Sequence, residues 1–170
     1  MTELIVIAAV ARNRVIGNGP KIPWRISEDG RRFKQLTMGH PCIMGDITYR
    51  SLPAKWRPLP GRENIVLTFD REYRPDGVTM MYDFDAAISY VQQKQASKAF
   101  IGGGASVYEL GLKVAETLEL TEIHRDYAGD SLFPEWNADE WKLVERLDRQ
   151  GEDTVSQQTV GYSFSTYRRK

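Results

Sequence analysis

The sequence predicts an α/β fold, a three-layer sandwich in which helices flank a central, mostly parallel sheet. Short apolar runs alternate with segments of helical spacing, which is typical of parallel strands that are buried on both faces and connected by helices. Two alternating runs near the end, 141–147 and 160–167, instead predict antiparallel strands joined by a polar loop. The 170 residues are enough for one domain, 1–170, with one core and one ligand cleft.

The first half of the chain opens on a strand. Residues 4–10 form an apolar run too short for a typical helix, and the turn formers of 12–20 predict a long loop after it. Ser27 is the expected N-cap of a helix that reaches about Thr37. Three further apolar runs predict strands, at 41–44, 64–67 and 78–81.

The second half alternates helices and strands. Helical spacing of apolar residues predicts a helix over 83–93, with Asp83 as its cap. A strand at 98–101 enters three glycines, Gly102 to Gly104, and is followed by a helix at 107–114. A last parallel strand is expected at 117–123, before the antiparallel ending.

Composition excludes several classes of function. The 23 basic and 23 acidic residues cancel, so no overall field favours a nucleic acid or a membrane surface. The single cysteine, Cys42, cannot form an intrachain disulfide, and neither histidine has metal-ligand spacing to other ligand types. No run approaches the ~20 apolar residues of a membrane span, and the start lacks a secretion signal. We expect a cytoplasmic protein with no metal, membrane or nucleic-acid partner.

Asp29 is the acid that the helical pattern singles out. First-turn acids ordinarily serve the helix dipole, but Asp29 shares a face with Phe33 and Leu36, at i+4 and i+7. The polar residues of this helix are expected elsewhere on it: Arg31, Arg32, Lys34 and Gln35. A carboxylate that heads an apolar stripe is expected to have a raised pKa or to hold a ligand amidine by paired hydrogen bonds.

Four other segments each have a structural and a functional interpretation. Trp24 is either a core aromatic or, through its indole N–H, the partner of an ordered water. The strand–glycine–helix junction at 100–108 is either a packing turn or a pyrophosphate site. Thr48 is the expected cap of the next helix and a phosphate contact. Arg62, after a stiff proline turn, is either solvated or the partner of a ligand carboxylate.

A series of motifs runs in one order from about Leu4 to Arg168. They are Ile7-Ala8-Ala9, Val15-Ile16-Gly17, Pro23-Trp24, Asp29, Phe33-Lys34, Thr37, Met44-Gly45, Thr48-Tyr49, Leu59-Pro60-Gly61-Arg62, the glycine triplet with Tyr108, Leu120-Thr121, Gly129-Asp130 and Phe133-Pro134. In this order they resemble the dihydrofolate reductase family. The resemblance implies an eight-stranded sheet with four helices, a monomer, antifolate-type ligands, and NADPH-dependent reduction of 7,8-dihydrofolate to 5,6,7,8-tetrahydrofolate for one-carbon metabolism.

The resemblance also implies roles for single residues. Asp29, supported by Thr121, would bind the pterin and promote protonation at N5 through water that Trp24 orders. The substrate contacts would be Ile7, Ala8, Phe33, Leu52, Arg57 and Arg62. The cofactor contacts would be Ala9, Ile16, Gly17, Asn18, Ile22, Gly45, Asp46, Ile47, Thr48, Thr68, Phe69, Gly103, Gly104, Ala105, Ser106, Val107 and Tyr108. Segment 15–24 would be a mobile lid with Ile22 at its tip, and Gly103–Gly104 a cis peptide.

One departure from the family leaves the cofactor open. Where many members place basic residues against the adenosine 2′-phosphate, this chain has Asp46, Ile47 and Ser106, and an acid there suits an unmodified ribose. NADPH is the expected cofactor and NADH the alternative. Three nearby basic residues are candidates to bind the phosphate instead: Arg50, Arg71 and Arg74. Two other functions stay open on this fold, a riboflavin-pathway pyrimidine reductase and a noncatalytic folate- or nucleotide-binding protein.

Overall fold

The computed structural model describes residues 1–170 as ten strands and four α-helices. The strands are β1 (Glu3–Ala11), β2 (Val15–Gly17), β3 (Cys42–Gly45), β4 (Asn64–Leu67), β5 (Thr79–Met81), β6 (Lys98–Ile101), β7 (Thr117–Ile123), β8 (Ser131–Leu132), β9 (Trp141–Asp153) and β10 (Gln158–Arg169). The helices are α1 (Ser27–Thr37), α2 (Asp46–Ser51), α3 (Phe84–Gln93) and α4 (Ala105–Val114). None of these helices has the length and apolar content that a membrane span requires.

Eight of the strands form one sheet, in the order β5-β4-β3-β6-β1-β7-β10-β9. Neighbours from β5 to β7 pair in parallel, and β10 pairs antiparallel with β7 and with β9. The predicted α/β fold, with a mostly parallel eight-stranded sheet and an antiparallel C-terminal strand, is confirmed. The carboxyl ends of β1, β6, β3 and β4 therefore lie along one edge of the sheet, where open α/β sheets bind ligands.

Alternate residues of β1 face opposite helical layers. Leu4, Val6 and Ala8 belong to the core that also contains the buried faces of α3 and α4. Ile5 and Ile7 belong to the second core, against which α1 and α2 pack. Because both faces of β1 are buried, its side chains are apolar at consecutive positions, and its carboxyl end is held rigidly from both sides.

Two helix caps differ from the predictions. Ile26, and not Ser27, is the N-cap of α1, because Ile26 is buried and its extended backbone forms a β-bridge with Asp153. The helix can therefore begin only at the next residue. Gly45 is the N-cap of α2, so Thr48 lies inside this helix and does not cap it. In neither helix does a side chain accept a capping hydrogen bond.

The other helix starts are closer to expectation. The Asp83 cap is confirmed, since its carboxylate accepts a hydrogen bond of 2.8 Å from the N–H of Asp85. The helix after the glycine triplet begins at Ala105, two residues earlier than the pattern indicates. The N terminus of α4 consequently lies directly against the glycines.

The loop predicted over 12–20 contains a strand. β2 pairs antiparallel with β8, and the residues on either side of the following turn, Asn18 and Lys21, form an isolated β-bridge. Gly129 makes this pairing possible, because a Cβ atom there would collide with the carbonyl of Gly17 and the side chain of Val15. The segment expected to act as a lid is therefore anchored by a distant part of the chain.

The C-terminal hairpin is longer than the predicted runs 141–147 and 160–167. β9 has 13 residues and β10 has 12, and their pairing continues to Asp153 and Gln158. The polar loop expected between them is reduced to a short turn over 154–157. The added length was not predicted from the sequence, because polar side chains on the outer face of the hairpin remain solvated while the backbone pairs, and they therefore resemble a polar loop.

Candidate active site

Two cavities open along the carboxyl edge of the sheet. One, of about 290 Å³, lies between α1 and the sheet and is lined mainly by apolar side chains; we call it the apolar cavity. The other, of about 480 Å³, runs over the glycines after β6 to the start of α2; we call it the glycine cavity. Five residues line both cavities: Ala9, Ile22, Thr48, Gly102 and Tyr108. Ligands in the two cavities would therefore meet at the end of β1.

A hydrogen-bonded carboxyl–hydroxyl pair lines the apolar cavity. The hydroxyl of Thr121 on β7 donates a hydrogen bond of 2.6 Å to Oδ1 of Asp29 on α1. Burial raises the pKa of Asp29, while this hydrogen bond and the charge of Arg32 lower it by less. A carboxyl group of raised pKa that faces a ligand can supply a proton, and its ionised form can hold an amidine by paired hydrogen bonds.

An ion pair lies beside this acid. Arg32 Nη2 is 3.1 Å from Glu119 Oε2, and both side chains line the apolar cavity. Glu119 also accepts a hydrogen bond of 2.8 Å from Thr166, and the Arg32 guanidinium stacks 4.6 Å from the centre of the Phe164 ring. The expectation that Arg32 points away from the face of Asp29 is wrong, because residues at i and i+3 are neighbours on a helix surface.

Replacement of Arg32 by Gln is expected to raise the pKa of Asp29 further. The change removes the positive charge that favours the carboxylate and leaves Glu119 as an unpaired negative charge nearby, so both effects have the same sign. The pKa is measured from the carboxyl ¹³C shift of Asp29 as a function of pH. Arg31→Gln is the matched control, because Arg31 is exposed and should leave the titration unchanged. An unchanged or lowered pKa in Arg32→Gln would contradict this account.

Most of the predicted substrate residues line the apolar cavity. Together with Asp29 and Thr121 they are Ile7, Ala8, Phe33 and Leu52. Arg62 lies behind this wall: its guanidinium is 6.0 Å from the centre of the Phe33 ring and donates 3.1 Å to the hydroxyl of Thr37. Arg57 is exposed and donates to the carbonyl of Arg50. Arg62 therefore packs against a residue of the cavity wall, whereas Arg57 does not line the cavity.

Trp24 is buried outside both cavities. Its ring lies 5.0 Å from that of Tyr127, within the cluster that also contains Ile26. The indole N–H of Trp24 bonds to no protein atom. Ser165 Oγ is the one fully buried side-chain polar atom without a hydrogen-bond partner, so the Trp24 N–H is not fully buried and keeps contact with solvent. That Trp24 orders a water beside Asp29 stays a prediction.

The glycine cavity contains most of the predicted cofactor residues. They are Ala9, Ile16, Gly17, Ile22, Gly45, Asp46, Ile47, Thr48, Gly103, Gly104, Ala105, Ser106, Val107 and Tyr108. Three others do not line it. Thr68 is buried and donates to Asp46, Asn18 lies beside the turn of the lid, and the Phe69 side chain is 99% exposed.

The residues of the glycine cavity fit a dinucleotide. No side chain caps the N terminus of α4, which leaves its first N–H groups free to bind a pyrophosphate. Gly103 has φ +92°, and a Cβ atom there would lie 2.9 Å from the Tyr108 ring, so only glycine allows this close approach. The Gly103–Gly104 peptide is cis, at the position that the resemblance implied.

Two further groups in the apolar cavity stay neutral. Burial raises the pKa of the Cys42 thiol to about 12. Burial also raises the pKa of Tyr108, whose hydroxyl donates 2.8 Å to the carbonyl of Ile7. Because Glu119 is held in its ion pair with Arg32, Asp29 is the acid of this cavity that is available to a ligand.

Comparisons with known proteins identify one family. A family model described as dihydrofolate reductase matches residues 3–169. The chain is 38% identical over 167 residues to dihydrofolate reductase of Neisseria gonorrhoeae, with 98% of each chain covered. It is 36% identical over 173 residues to dihydrofolate reductase HdrB of Haloferax volcanii, covering 99% of this chain and 84% of that one. Dihydrofolate reductase from Enterococcus faecalis complexed with NADP(H) and RAB-propyl superimposes with a TM-score of 0.88 at 29% identity, covering 99% and 96% of the two chains.

Proposed function

This chain belongs to the dihydrofolate reductase family, and from that membership we propose that it reduces 7,8-dihydrofolate to 5,6,7,8-tetrahydrofolate. The reaction adds a hydride at C6 and a proton at N5, and its product supplies one-carbon metabolism. One observation carries the proposal: the Asp29–Thr121 pair lines an apolar cavity that meets the glycine cavity at Ala9 and Ile22. The bound reduced nicotinamide cofactor supplies the hydride.

Asp29 and Thr121 orient the substrate. The Asp29 carboxylate accepts hydrogen bonds from the 2-amino group and N3 of the pterin, and the Thr121 hydroxyl fixes the position of that carboxylate. Ile7 and Phe33 supply apolar walls for the flat ring. The ring is thereby held with its C6 edge toward the junction of the two cavities, which is the geometry that a transfer between two bound molecules requires.

The proton reaches N5 by way of Asp29. Its raised pKa keeps more of the carboxyl group protonated near neutral pH than an exposed aspartate would be, and a water carries the proton to N5. Ile22, which is 60% exposed and lines both cavities, covers the junction. Closure of the lid over bound ligands would exclude bulk water from this junction.

The experiment that tests this function is a nicotinamide absorbance assay with dihydrofolate, with NADPH and NADH supplied in parallel. Oxidation of either cofactor that depends on dihydrofolate is the expected result, with tetrahydrofolate as the product. Folate binding without oxidation would instead assign a noncatalytic binding protein. Oxidation only with the pyrimidine of riboflavin synthesis would assign the related reductase. Either of these two outcomes would overturn the proposal.

The apolar cavity also suits antifolate-type ligands. A protonated amidine on such a ligand would form paired hydrogen bonds with the Asp29 carboxylate, while its apolar part would contact walls such as Phe33 and Leu52. NADPH is the cofactor implied by the family resemblance, and NADH is the alternative. A single domain over 1–170, a monomeric state and a cytoplasmic location stay predictions.

A further inference from the structure

An acid follows the strand next to the glycine junction. β3 pairs in parallel with β6, with Ile43 opposite Ile101, and β6 leads directly into the glycine triplet. Asp46 is the first residue of α2, immediately after β3, and its side chain lines the glycine cavity. In dinucleotide-binding α/β folds, an acid near the glycine turn accepts hydrogen bonds from the ribose hydroxyls of NAD, whereas an arginine there accommodates the 2′-phosphate of NADP.

The distance along the sheet edge suits this role. The nicotinamide has to lie where the two cavities meet, at Ala9 on β1. β6 separates β1 from β3, so at ~4.8 Å per strand Asp46 lies about 10 Å farther along the edge. A pyrophosphate over Gly103 and Gly104 would span that interval. The second ribose of a dinucleotide, the adenosine ribose, would then lie at Asp46.

The Asp46 carboxylate is held in place. Its Oδ2 accepts a hydrogen bond of 2.8 Å from the hydroxyl of Thr68, and its Oδ1 accepts one of 2.8 Å from the N–H of Ile47. Thr68 is 5% exposed, and its oxygen accepts the N–H of Asp70 at 3.0 Å, so its own proton is directed to Asp46. A carboxylate has about four acceptor positions, which leaves two for a ligand diol.

The three arginines near Asp46 in the sequence, Arg50, Arg71 and Arg74, do not line the glycine cavity. Arg50 Nη2 is 4.0 Å from Asp46 Oδ2, and its guanidinium stacks 3.8 Å from the centre of the Tyr73 ring. The two other candidates for binding a phosphate contact groups outside the cavity: Arg71 stacks on the ring of Tyr82, and Arg74 donates to the carbonyl of Arg71. Apart from Asp46, the one charged residue that lines the cavity is Lys21, on the lid.

We propose that Asp46 binds the 2′- and 3′-hydroxyls of the adenosine ribose and thereby makes NADH, and not NADPH, the preferred cofactor of this chain. This inference rests on the proposed function, because it requires a nicotinamide dinucleotide in the glycine cavity. A 2′-phosphate at this position would bring about two negative charges against a fixed carboxylate and would remove one of the two hydroxyl donors. Asp46 is therefore a specificity-determining residue, and Thr68 positions it.

The test is a direct binding measurement that needs no turnover. NADH and NADPH, which differ only in the 2′-phosphate, are titrated into the protein without folate, and binding is followed by nicotinamide fluorescence. The wild type is expected to bind NADH at least about 10-fold more tightly than NADPH. Asp46→Asn should lower this ratio about 10-fold or more, mainly by improved binding of NADPH. Thr68→Val should change the ratio in the same direction by less.

Asp76→Asn is the matched control, because it removes the same charge from an exposed loop residue and should leave the ratio unchanged. Tighter binding of NADPH than of NADH by the wild type, or a ratio that Asp46→Asn does not move, would overturn the inference. Failure of both cofactors to bind would overturn it too. Binding that follows the expected ratio without dihydrofolate-dependent oxidation would leave the role of Asp46 intact and would refute the proposed function alone.

Discussion

Substitution of Asp29 by Asn is expected to lower kcat with dihydrofolate by about 10²- to 10⁴-fold at neutral pH, the range typical for loss of a general acid. The amide can still contact the pterin but cannot take up and release the proton destined for N5. Since burial raises the pKa of Asp29, the wild-type rate should stay high to a pH above the ordinary aspartate range and fall as pH rises through that raised value. The variant should lack this pH dependence.

The same variant should be at least as stable as the wild type. A group whose pKa is raised on folding favours the folded state at low pH, and this contribution is lost as pH rises through the folded-state value. At neutral pH the wild type therefore carries the cost of a buried charge that Asn removes, so the midpoint of thermal unfolding should not fall.

Glu28→Gln is the control for Asp29→Asn, since Glu28 bonds outside the site, to Tyr162 and Arg149. Retention of more than about a tenth of wild-type kcat by Asp29→Asn would refute the role of this acid.

Substitution of Asp153 is expected to have the largest effect on stability. The residue is 0% exposed, and its carboxylate accepts four hydrogen bonds. The donors are the N–H groups of Arg25 (3.0 Å) and Val155 (3.0 Å) and the hydroxyls of Tyr127 (2.8 Å) and Ser156 (2.9 Å). Asp153→Asn should lower the free energy of unfolding by about 1–3 kcal/mol, because an amide cannot accept at both ends. Asp153→Ala should cost more than Asp153→Asn, because all four donors lose their partner and each buried donor left unpaired costs about 1–3 kcal/mol.

The pH dependence of stability supplies a second measurement for Asp153. Burial alone would raise its pKa, but the four donors outweigh burial, and the pKa lies below the ordinary value of 3.8. Such a group stabilises the fold above the unfolded-state pKa, and the contribution is lost as pH falls through the lower folded-state pKa. Urea unfolding from neutral pH down to about pH 3 should therefore show a smaller loss of stability in Asp153→Asn than in the wild type. Asp126→Asn, an exposed control, should stay within about 0.5 kcal/mol of wild type.

The fold followed from the sequence where burial alone determines the pattern. β1 has neighbouring strands on both sides and helices on both faces, so its consecutive apolar residues predicted a buried parallel strand. The β2–β8 pair was missed because the three residues of β2 lie among turn formers and are too few to show the alternating pattern of a strand. Their pairing depends on Ser131 and Leu132, far along the chain, and on the space at Gly129. The cap at Ile26 likewise depends on a distant bridge, to Asp153.

The site was predictable to the extent that it lies on one helix face. The position of Asp29 on an apolar stripe pointed to a cleft acid, whereas its partner Thr121 was assigned only from the family resemblance. The ion pair of Arg32 and Glu119 was missed, although local spacing carried a signal. Arg32 follows Asp29 by three residues on a helix, and Glu119 precedes Thr121 by two on a strand, so each shares a face with a residue already chosen.

The central place of β1 has a consequence for synthesis on the ribosome. β1 is translated well before its two neighbours, β6 and β7, in which Lys98 lies opposite Glu3 and Thr117 lies opposite Ile5. At roughly 5–20 residues per second, the nascent chain carries an unpaired apolar segment for on the order of ten seconds before both partners exist. An exposed apolar segment of this kind is a binding site for holdase chaperones. β1 has both of its neighbours only after β7, which ends at Ile123, and the eight-stranded sheet is complete only after β10, which ends at Arg169.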